Sequence, residues 1–489
     1  MRRSPVLKLG PAAVAALAAA GSILVTAADA RAASAQTARR PLVGTNTSAS
    51  VQSISCPLAG RCAAGGFFVD RAGHHQAFLI SERRGSWGKA IEVPGTGILN
   101  AGGSAQVVSV SCASAGDCAV GGFYTDGSKE IQAFVASEKR GVWGNAIEVP
   151  GSAQLNVAGN ARIVSVSCAS PGDCGAGGFY TLPFGRVGSQ QPFVVNEKHG
   201  VWGKAIEVPG FTSANVVEGS VGSVSCASAG NCAAGGSFEG SSFRTQAFVV
   251  SEDGGHWRKA IEVPGSAAIN AGGLAVVGSV SCSSAGNCGA GGFYTDRSGL
   301  EQAFVVSEKN GQWHRAIEVP GSAALNVGGA AAVSSVSCPS AGSCGAGGFY
   351  SSRGLAVQAF VVSERTGHWR RAIEVPGTRA LNAGGQARIN SVSCASAGDC
   401  AAGGSYVDRP GHRQAFVVSE SDSTWGRATE VPGTAALNRG GLAVVNEVSC
   451  ASPGNCGAGG SYLVSTRRSP AFVVNENDGI WGGAKTVGF

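Results

Sequence analysis

A pair of cysteines six positions apart recurs along most of this chain, and this repeat constrains the fold more than any other feature. The first cysteines of neighbouring pairs are 56 residues apart, except for 58 residues between Cys168 and Cys226. A repeat of this length is one supersecondary unit that buries its faces against its neighbours. The eight pairs are Cys56 and Cys62, Cys112 and Cys118, Cys168 and Cys174, Cys226 and Cys232, Cys282 and Cys288, Cys338 and Cys344, Cys394 and Cys400, and Cys450 and Cys456.

Each unit has the pattern of four short strands. Repeat 2 contains VVSVSCASAGDCAVGGFYTDGSKEIQAFVASEKRGVWGNAIEVPG, in which Val and Cys alternate with Ser and later runs carry aromatic and β-branched residues. Alternation with period two and these residue types are typical of strands. Turn residues separate the runs, and Pro150 and Gly151 end the fourth. The sequence therefore predicts four antiparallel strands in every unit.

Pairing the predicted strands gives each sheet one bulky and one small face. Placing Cys112 opposite Cys118 puts Val110 and Val120 on one face, and Ser, Ala and Gly on the other. A four-residue turn between Glu82 and Trp87 would in the same way place Phe78 opposite Ile91. The bulky face of one sheet can then fill the small face of the next at core density. We predict a single all-β, eight-bladed β-propeller, with two four-bladed rings or an open array as the alternatives.

The start of the chain resembles an export signal. A basic beginning with Arg2, Arg3 and Lys8 precedes an apolar run and an A-x-A site at Ala28–Ala30, which is typical of a secretory signal peptide. An uncleaved membrane anchor is the alternative. We expect no membrane span in the mature chain and a secreted or envelope-associated location. The predicted organisation is a signal peptide at 1–30, a linker at 31–47 and the propeller at 48–489, with repeats at 48–95, 96–151, 152–210, 211–265, 266–321, 322–377, 378–433 and 434–489.

The cysteine pairs are expected to form eight local disulfide bonds. Opposed residues of a hairpin lie within disulfide range, and an exported chain meets an oxidising compartment. Zinc is the alternative, but the spacing is wider than in zinc fingers and no histidine keeps a fixed place in the repeat. We therefore expect no metal and no cofactor. Loss of residues 1–30 removes three basic and one acidic residue and lowers the formal charge from +6 to +4, which gives no indication of nucleic-acid binding.

The repeat also resembles known families. The S-C-x-S-x-G-x-C-x-x-GG hairpin, followed by Q-A-F-V-V-S-E and W-x-x-A-I-E-V-P-G, resembles secreted actinobacterial propeller repeat proteins of unknown function. The Gln302–Phe304 strand is similar to extracellular repeats named for a His-Ala-Phe triplet. The turn at 251–257 is similar to the Asp-box of sialidase-like propellers, although the Trp comes one residue early. These resemblances imply a propeller over residues 48–489.

Residues that recur in every unit are expected to be structural, and departures from the repeat are the candidate sites. The recurrent glutamates, such as Glu82, and the aromatic residues after each Gly-Gly pair, such as Tyr124, are more simply explained by sheet pairing and packing than by catalysis. The largest departures lie in repeats 3 and 4, and loops on rigid scaffolds commonly carry binding sites. The predicted binding residues are Phe184, Arg186, Phe211, Glu218, Glu239, Phe243 and Arg244.

The sequence therefore favours a monomeric binding or scaffold module that takes a carbohydrate or an envelope protein. The alternative is an extracellular polysaccharide hydrolase or lyase of the sialidase-like propeller type. An enzyme of this kind should show a unique pair of carboxylates in unequal environments. Glu218 and Glu239 are the only clustered acidic residues that depart from the repeat, so the sequence leans against an enzyme and assigns no catalytic residue.

Overall fold

The computed structural model describes residues 48–183, 189–212, 216–466 and 468–489. Over these ranges the chain forms eight antiparallel β-sheets arranged in a ring, which confirms the predicted eight-bladed propeller. We number the sheets as blades 1 to 8 in chain order. The predicted signal peptide and linker lie outside the described residues.

The three long strands of a blade occupy equivalent positions in every repeat. The first strands are Ala49–Leu58, Ala105–Ser114, Arg162–Ser170, Glu218–Ser228, Ala275–Ser284, Ala331–Ser340, Arg388–Ser396 and Ala443–Ser452. The second strands are Arg61–Val69, Asp117–Thr125, Asp173–Leu182, Asn231–Glu239, Asn287–Thr295, Ser343–Ser351, Asp399–Val407 and Asn455–Tyr462. The third strands are His75–Arg83, Ile131–Lys139, Ser189–Lys198, Thr245–Asp253, Glu301–Lys309, Val357–Arg365, Arg413–Ser421 and Ala471–Asn477.

The fourth strand of each blade consists of two short segments that both pair with the third strand. The segments are Ser86–Trp87 and Ile91–Glu92, Val142–Trp143 and Ile147–Glu148, Val201–Trp202 and Ile206–Glu207, His256–Trp257 and Ile261–Glu262, Gln312–Trp313 and Ile317–Glu318, His368–Trp369 and Ile373–Glu374, Thr424–Trp425 and Thr429–Glu430, and Ile480–Trp481 and Lys485–Thr486. Glu82 faces Trp87 as predicted, but Leu79 rather than Phe78 faces Ile91. The predicted continuous register is therefore wrong by one residue beyond Trp87.

The first hairpin of each blade follows the predicted register. In blade 2, Val110 pairs with Val120 and Cys112 pairs with Cys118. All sixteen cysteines form the eight predicted disulfide bonds. The Gly-Gly pair after the second cysteine is required by close contacts, because a Cβ at Gly122 would lie 1.9 Å from the Gln106 carbonyl oxygen. A Cβ at Gly121 would lie 2.4 Å from Ile163 of the next blade.

The hydrophobic core is divided among the interfaces between blades. Eight apolar clusters each combine the small face of one blade with the bulky first strand of the next, as predicted. One cluster joins Ala471 and Val473 of blade 8 to Val51 and Ile54 of blade 1. The ring is therefore closed, which excludes an open array and two four-bladed rings.

Six of the connections between blades contain one turn of helix. These are α1 (Thr96–Leu99), α2 (Ser152–Leu155), α3 (Ser266–Ile269), α4 (Ser322–Leu325), α5 (Thr378–Leu381) and α6 (Thr434–Leu437). The last residue of each helix packs against the core cluster that it borders, as Leu155 does beside Tyr180 and Phe193. Glycines with positive φ precede the helices, for example Gly151 at 81°.

A phenylalanine fills the same space at the two interfaces that lack such a helix among the described residues. Phe211, between blades 3 and 4, lies 4.8 Å from Phe238 and 4.9 Å from Phe248 between ring centroids. Phe489 lies 5.0 Å from Phe68 of blade 1. The neighbouring carbonyl of Gly488 accepts a hydrogen bond from Ala90 N at 2.9 Å, so these residues join blade 8 to blade 1.

The ring has two faces that differ in their loops. One side of the ring carries the turns between first and second strands and between third and fourth strands, and we call this side the disulfide face. The other side carries the loops between second and third strands and the connections between blades, and we call it the linker face. The first strands form the inner edge of the ring, because each contacts the first strands of both neighbouring blades.

Candidate functional site

A buried glutamate ends the third strand of each blade on the disulfide face, at an interface with the preceding blade. Glu197 illustrates the arrangement, because it accepts a hydrogen bond from Ser137 Oγ of the preceding blade at 2.6 Å. Trp202 Nε1 donates a hydrogen bond to the same Ser137 oxygen at 2.9 Å. Equivalent donors and acceptors are Asn475 and Glu82, Asn196 and Glu252, Ser251 and Glu308, Ser307 and Glu364, Ser363 and Glu420, and Ser419 and Glu476.

These glutamates are buried and lack full hydrogen bonding. Their exposed fractions lie between 2 and 7 %. Within the described residues, one carboxyl oxygen each of Glu82, Glu197, Glu252 and Glu420 has no hydrogen-bond partner. Burial is the largest cause of their altered acidity and raises the pKa of every one of them, to about 6 for Glu138. A buried carboxyl group of this kind favours a ligand hydroxyl as a hydrogen-bond partner.

Clefts between neighbouring blades open beside these glutamates, and we name each by its two blades. Cleft 1/2 has a volume of about 230 Å³, cleft 4/5 about 490 Å³ and cleft 5/6 about 450 Å³. Each of the three is lined by one glutamate from either blade and by cysteines of both hairpins. Cleft 5/6 adds the side chains of His314, Ile317, His368 and Trp369. The larger two volumes lie in the range of small-molecule sites.

Cleft 1/2 departs from the repeated pattern. Three arginines, Arg61, Arg83 and Arg140, line it together with Glu82 and Glu138. Burial raises the pKa of Glu138, and the nearby Arg83 guanidinium opposes that rise. Arg61 stands where blades 2, 3 and 7 have Asp, blades 4, 5 and 8 have Asn and blade 6 has Ser. The sequence analysis did not single out Arg61, although its break from the C-x-S-x-G-[DNS]-C pattern could have revealed it.

A second unpredicted residue is Glu447 at the inner edge of the ring. In the other blades a serine of the first strand caps the next blade, as Ser53 Oγ accepts a hydrogen bond from Val110 N at 2.8 Å. Glu447 replaces that serine in blade 8 and accepts a hydrogen bond from Ile54 N of blade 1 at 2.7 Å. Burial raises the pKa of Glu447 to about 7, against the opposing effect of hydrogen bonds from Ser53 and the Ile54 amide. The sequence signal is N-E-V-S-C in place of S-V-S-C.

The structure describes only some of the binding residues predicted in repeats 3 and 4. Phe184 and Arg186 lie outside the described residues. Glu218 pairs directly with Glu239 across the first and second strands of blade 4. Phe243 is 72 % exposed in the adjoining loop on the linker face.

Two of these residues make intramolecular contacts. Phe211 occupies the interface position described above. Arg244 Nη2 donates hydrogen bonds to the carbonyl oxygens of Asn270 at 2.7 Å and Ala271 at 3.2 Å, directly after α3. In the equivalent place the side chain of His74, Glu130 or Leu300 covers a glycine of the following connection.

The aromatic residues after the Gly-Gly pairs are packed inside the blades. Tyr124 is 3 % exposed, and its hydroxyl donates a hydrogen bond to Glu148 at 3.2 Å. Burial, followed by the negative charge of Glu148, raises the pKa of Tyr124 well above its usual value. The corresponding pairs are Tyr180 and Glu207, Tyr294 and Glu318, Tyr350 and Glu374, and Tyr406 and Glu430. These rings stabilise the blades and do not present a surface to a sugar.

The described ranges contain no group of three or more His, Cys, Asp or Glu side chains arranged to hold a metal ion. No helix in the part of the chain that the structure covers has the length and apolar character needed to cross a membrane.

Comparisons with known proteins find distant structural neighbours. No protein-family model and no curated protein matches it. A lectin from Burkholderia pseudomallei is similar in structure at 12 % identity and a TM-score of 0.42, over 89 % of this chain and 99 % of the lectin. An ulvan lyase bound to its saccharide matches at 10 % identity and a TM-score of 0.40, over 89 % of this chain and 96 % of the lyase. A microbial sialidase matches at 9 % identity and a TM-score of 0.38, over 85 % of this chain and 73 % of the sialidase.

Proposed function

We propose that this chain is a secreted carbohydrate-binding module of the cell envelope, which binds saccharides in clefts between blades on its disulfide face. The observation that carries the proposal is the recurrence of a cleft flanked by two buried glutamates, as with Glu308 and Glu364 in cleft 5/6. Secretion rests on the signal-like start of the sequence together with the eight disulfide bonds. We expect the ring to act as a monomer with several sites.

The chemistry of cleft 5/6 suits a sugar. Carboxylates accept hydrogen bonds from hydroxyl groups, and the indole of Trp369 and the side chain of Ile317 offer apolar surface to the ring of a sugar. His314 and His368 add further polar groups at the mouth. A pocket with apolar walls and a few fixed polar groups is typical of small-ligand sites.

A blocking substitution tests the proposal. Ala341 is exposed at the mouth of cleft 5/6, so Ala341→Trp should fill the cleft and lower the number of saccharides bound per ring. Ala397→Trp is the matched control, because Arg365 already spans the interface between blades 6 and 7 through a 2.9 Å hydrogen bond to Ser423 O. The parent and both variants would be screened on an array of glycans and cell-wall polysaccharides, and the stoichiometry measured by calorimetry. Equal stoichiometry in all three proteins would contradict the assignment of cleft 5/6.

The alternative, a polysaccharide hydrolase or lyase, is favoured by one observation. Burial raises the pKa of both Glu138, to about 6, and Glu82, and the two carboxyl groups share cleft 1/2. A pair of carboxyl groups can act as acid and base when one is protonated and the other ionised. Release of oligosaccharides from a polysaccharide that binds, stopped by Glu138→Gln, would establish the enzyme. We expect binding without release of product.

The loop that follows the second strand of blade 4 is a second candidate surface on the linker face, and the sequence adds the blade 3 loop with Phe184 and Arg186 to this candidate. Phe243 is exposed there, and Glu218 and Glu239 lie side by side. Replacing both loops by the repeat 2 sequence should leave the fold intact, since that sequence already forms a blade. Loss of glycan binding after this exchange, with Ala341→Trp silent, would move the site to the linker face.

A further inference from the structure

We propose that cleft 1/2 selects an anionic sugar unit, through Arg61 as its specificity-determining residue. This inference rests on the proposed function, and it names the class of ligand that one of the clefts takes. The evidence lies in a basic arc over blades 1 to 3, in the position of Arg61, and in the polar side chains that line the cleft.

The basic arc consists of exposed side chains in the turns of blades 1 to 3 on the disulfide face. Its members are Arg61, Arg83, Arg84, Lys139, Arg140 and Lys198. Within the described ranges none of them takes part in an ion pair, whereas Arg258, Arg365 and Arg379 elsewhere on the ring pair with acidic residues. The turns between third and fourth strands in blades 7 and 8 carry Asp422 and Asp478 instead. Unpaired cations on one side of the face favour an anionic partner there.

Arg61 occupies a place that the other blades use for structure. Asp117 accepts a hydrogen bond from Arg140 N at 3.0 Å, and Asn231 accepts one from Gly254 N at 3.3 Å. A guanidinium has no acceptor, so Arg61 cannot make this bond to the turn of blade 1. Blade 1 thus gives up a repeated turn contact and places a cation at the rim of the cleft. A planar guanidinium fork binds carboxylate or phosphate oxygens through two parallel hydrogen bonds.

The lining of cleft 1/2 also supplies polar groups for the neutral part of the same sugar. Ser81, Glu82 and Glu138 line the cleft together with the arginines. A sugar hydroxyl can bond to these side chains while the carboxylate or phosphate of the sugar lies on Arg61, Arg83 and Arg140 at the rim. The arginines also oppose repulsion between an anionic ligand and Glu82 or Glu138, which distinguishes this cleft from cleft 5/6.

Arg61→Asn tests the inference, because Asn stands at this position in blades 4, 5 and 8 and is compatible with the fold. The full chain, Arg61→Asn and the control Asn455→Asp would be titrated with polygalacturonate, alginate, hyaluronan and their carboxyl-reduced forms, and with poly(glycerol phosphate) and dextran. The control makes the same change of one charge unit at the same position of blade 8. The thermal midpoint of Arg61→Asn should equal or exceed that of the parent.

We expect the parent to prefer an anionic polymer and to lose at least about tenfold in affinity in Arg61→Asn, since a charge-assisted pair is lost. Binding should also weaken as salt increases, and Asn455→Asp should bind like the parent. Loss on carboxyl reduction would identify a carboxylate ligand, and preference for poly(glycerol phosphate) a phosphate ligand. Equal binding of dextran, the reduced polymers and every anionic polymer, or an unchanged affinity in Arg61→Asn, would overturn the inference while leaving the glycan-binding module intact. Failure to bind any member of the panel or of the wider glycan array would overturn both.

Discussion

Single residues that break the repeat matter here because each has seven counterparts in equivalent positions. Glu447 is the clearest example. It accepts a hydrogen bond from the amide of Ile54, and the other seven blades have a serine at the equivalent position. The exchange keeps the hydrogen bond across the interface between blades 8 and 1 but introduces an acid into an enclosed position. The interface between blades 8 and 1 therefore has a further contribution to its stability that depends on the protonation of Glu447.

Glu447→Ser should remove that dependence. Because burial raises the pKa of Glu447 from 4.5 to about 7, the folded state binds the proton more tightly than the unfolded chain. Its contribution to stability is therefore full below pH 4.5 and is lost as the pH rises to about 7. The shift corresponds to at most about 3 kcal/mol. Urea unfolding at pH 4.5 and pH 8 should show the variant gaining stability relative to the parent at pH 8.

The other buried glutamates lower stability over part of the same range, so the comparison between parent and variant isolates Glu447. Asn390→Ser is the control, because Ser334 stands at the equivalent position of blade 6. Asn390→Ser should change the free energy of unfolding by the same amount at pH 4.5 and at pH 8. A parent and Glu447→Ser that keep a constant difference from pH 4.5 to pH 8 would show that Glu447 does not titrate within this range.

At the scale of the element, the connections between blades show how the interface is completed. A helix residue such as Leu155 packs at most interfaces, and Phe211 or Phe489 fills the same space at two others. The identity of the second residue after the Gly-Gly pair varies together with this exchange. It is Phe68 or Phe238 where a connecting phenylalanine packs on it, and tyrosine in the remaining blades.

Phe211→Ala should destabilise the protein by about 3 kcal/mol, because it removes an aromatic side chain from the interface. Phe211→Leu should cost less than about 1.5 kcal/mol, since leucine fills this space in other blades. Chemical unfolding would measure both. Glycan binding per folded molecule should be unchanged in both variants. A loss of binding in Phe211→Leu without a loss of stability would show that Phe211 is a binding residue, as predicted from the sequence.

The first hairpin was predictable from Ser109 to Cys112, and a register shift on either side of this segment was not. The pairing of the fourth strand was not predictable beyond Trp87. Alternation around Cys112 and Cys118 determines which side chains share a face, and the structure keeps that register. The register of the fourth strand changes after Trp87 because Ala90 N donates its hydrogen bond to Gly488 O of blade 8. Ala146 N donates to Pro94 O in the same way. These partners lie in the preceding blade, so a pattern within one repeat cannot reveal them.

The candidate clefts were hidden for the same reason. The sequence marked Glu82 and its counterparts as recurrent, but the interface decides whether they face water or a neighbouring blade. The serine or asparagine that binds each of them belongs to another repeat, as Ser137 does for Glu197. Departures from the repeat were the right signal for Arg61 and Glu447, yet single substitutions are less conspicuous than the long loops of repeats 3 and 4.

On the scale of the whole molecule, stability is shared by eight similar interfaces, each of which needs both of its blades. The closing interface between blades 8 and 1 joins strands almost a whole chain length apart, through the cluster of Val51, Ile54 and Val473 and through the contacts of Phe489. A ring of fixed blade number also fixes the angle between blades. Removing a unit therefore changes every interface, whereas an open solenoid would lose only one.

Deletion of residues 266–321 tests this cooperativity, because it removes one complete repeat and leaves a chain of seven. The remaining blades must either reclose at a wider angle, which opens gaps in interfaces packed as closely as that of Gly121 against Ile163, or leave two blade faces exposed. We expect a large fall in the thermal midpoint or aggregation, measured by differential scanning fluorimetry and light scattering. Ala397→Trp is the control for a change confined to one interface and should melt near the parent. A deletion variant that melts like the parent would mean that the interfaces act independently, and a closed ring would then not be the source of stability.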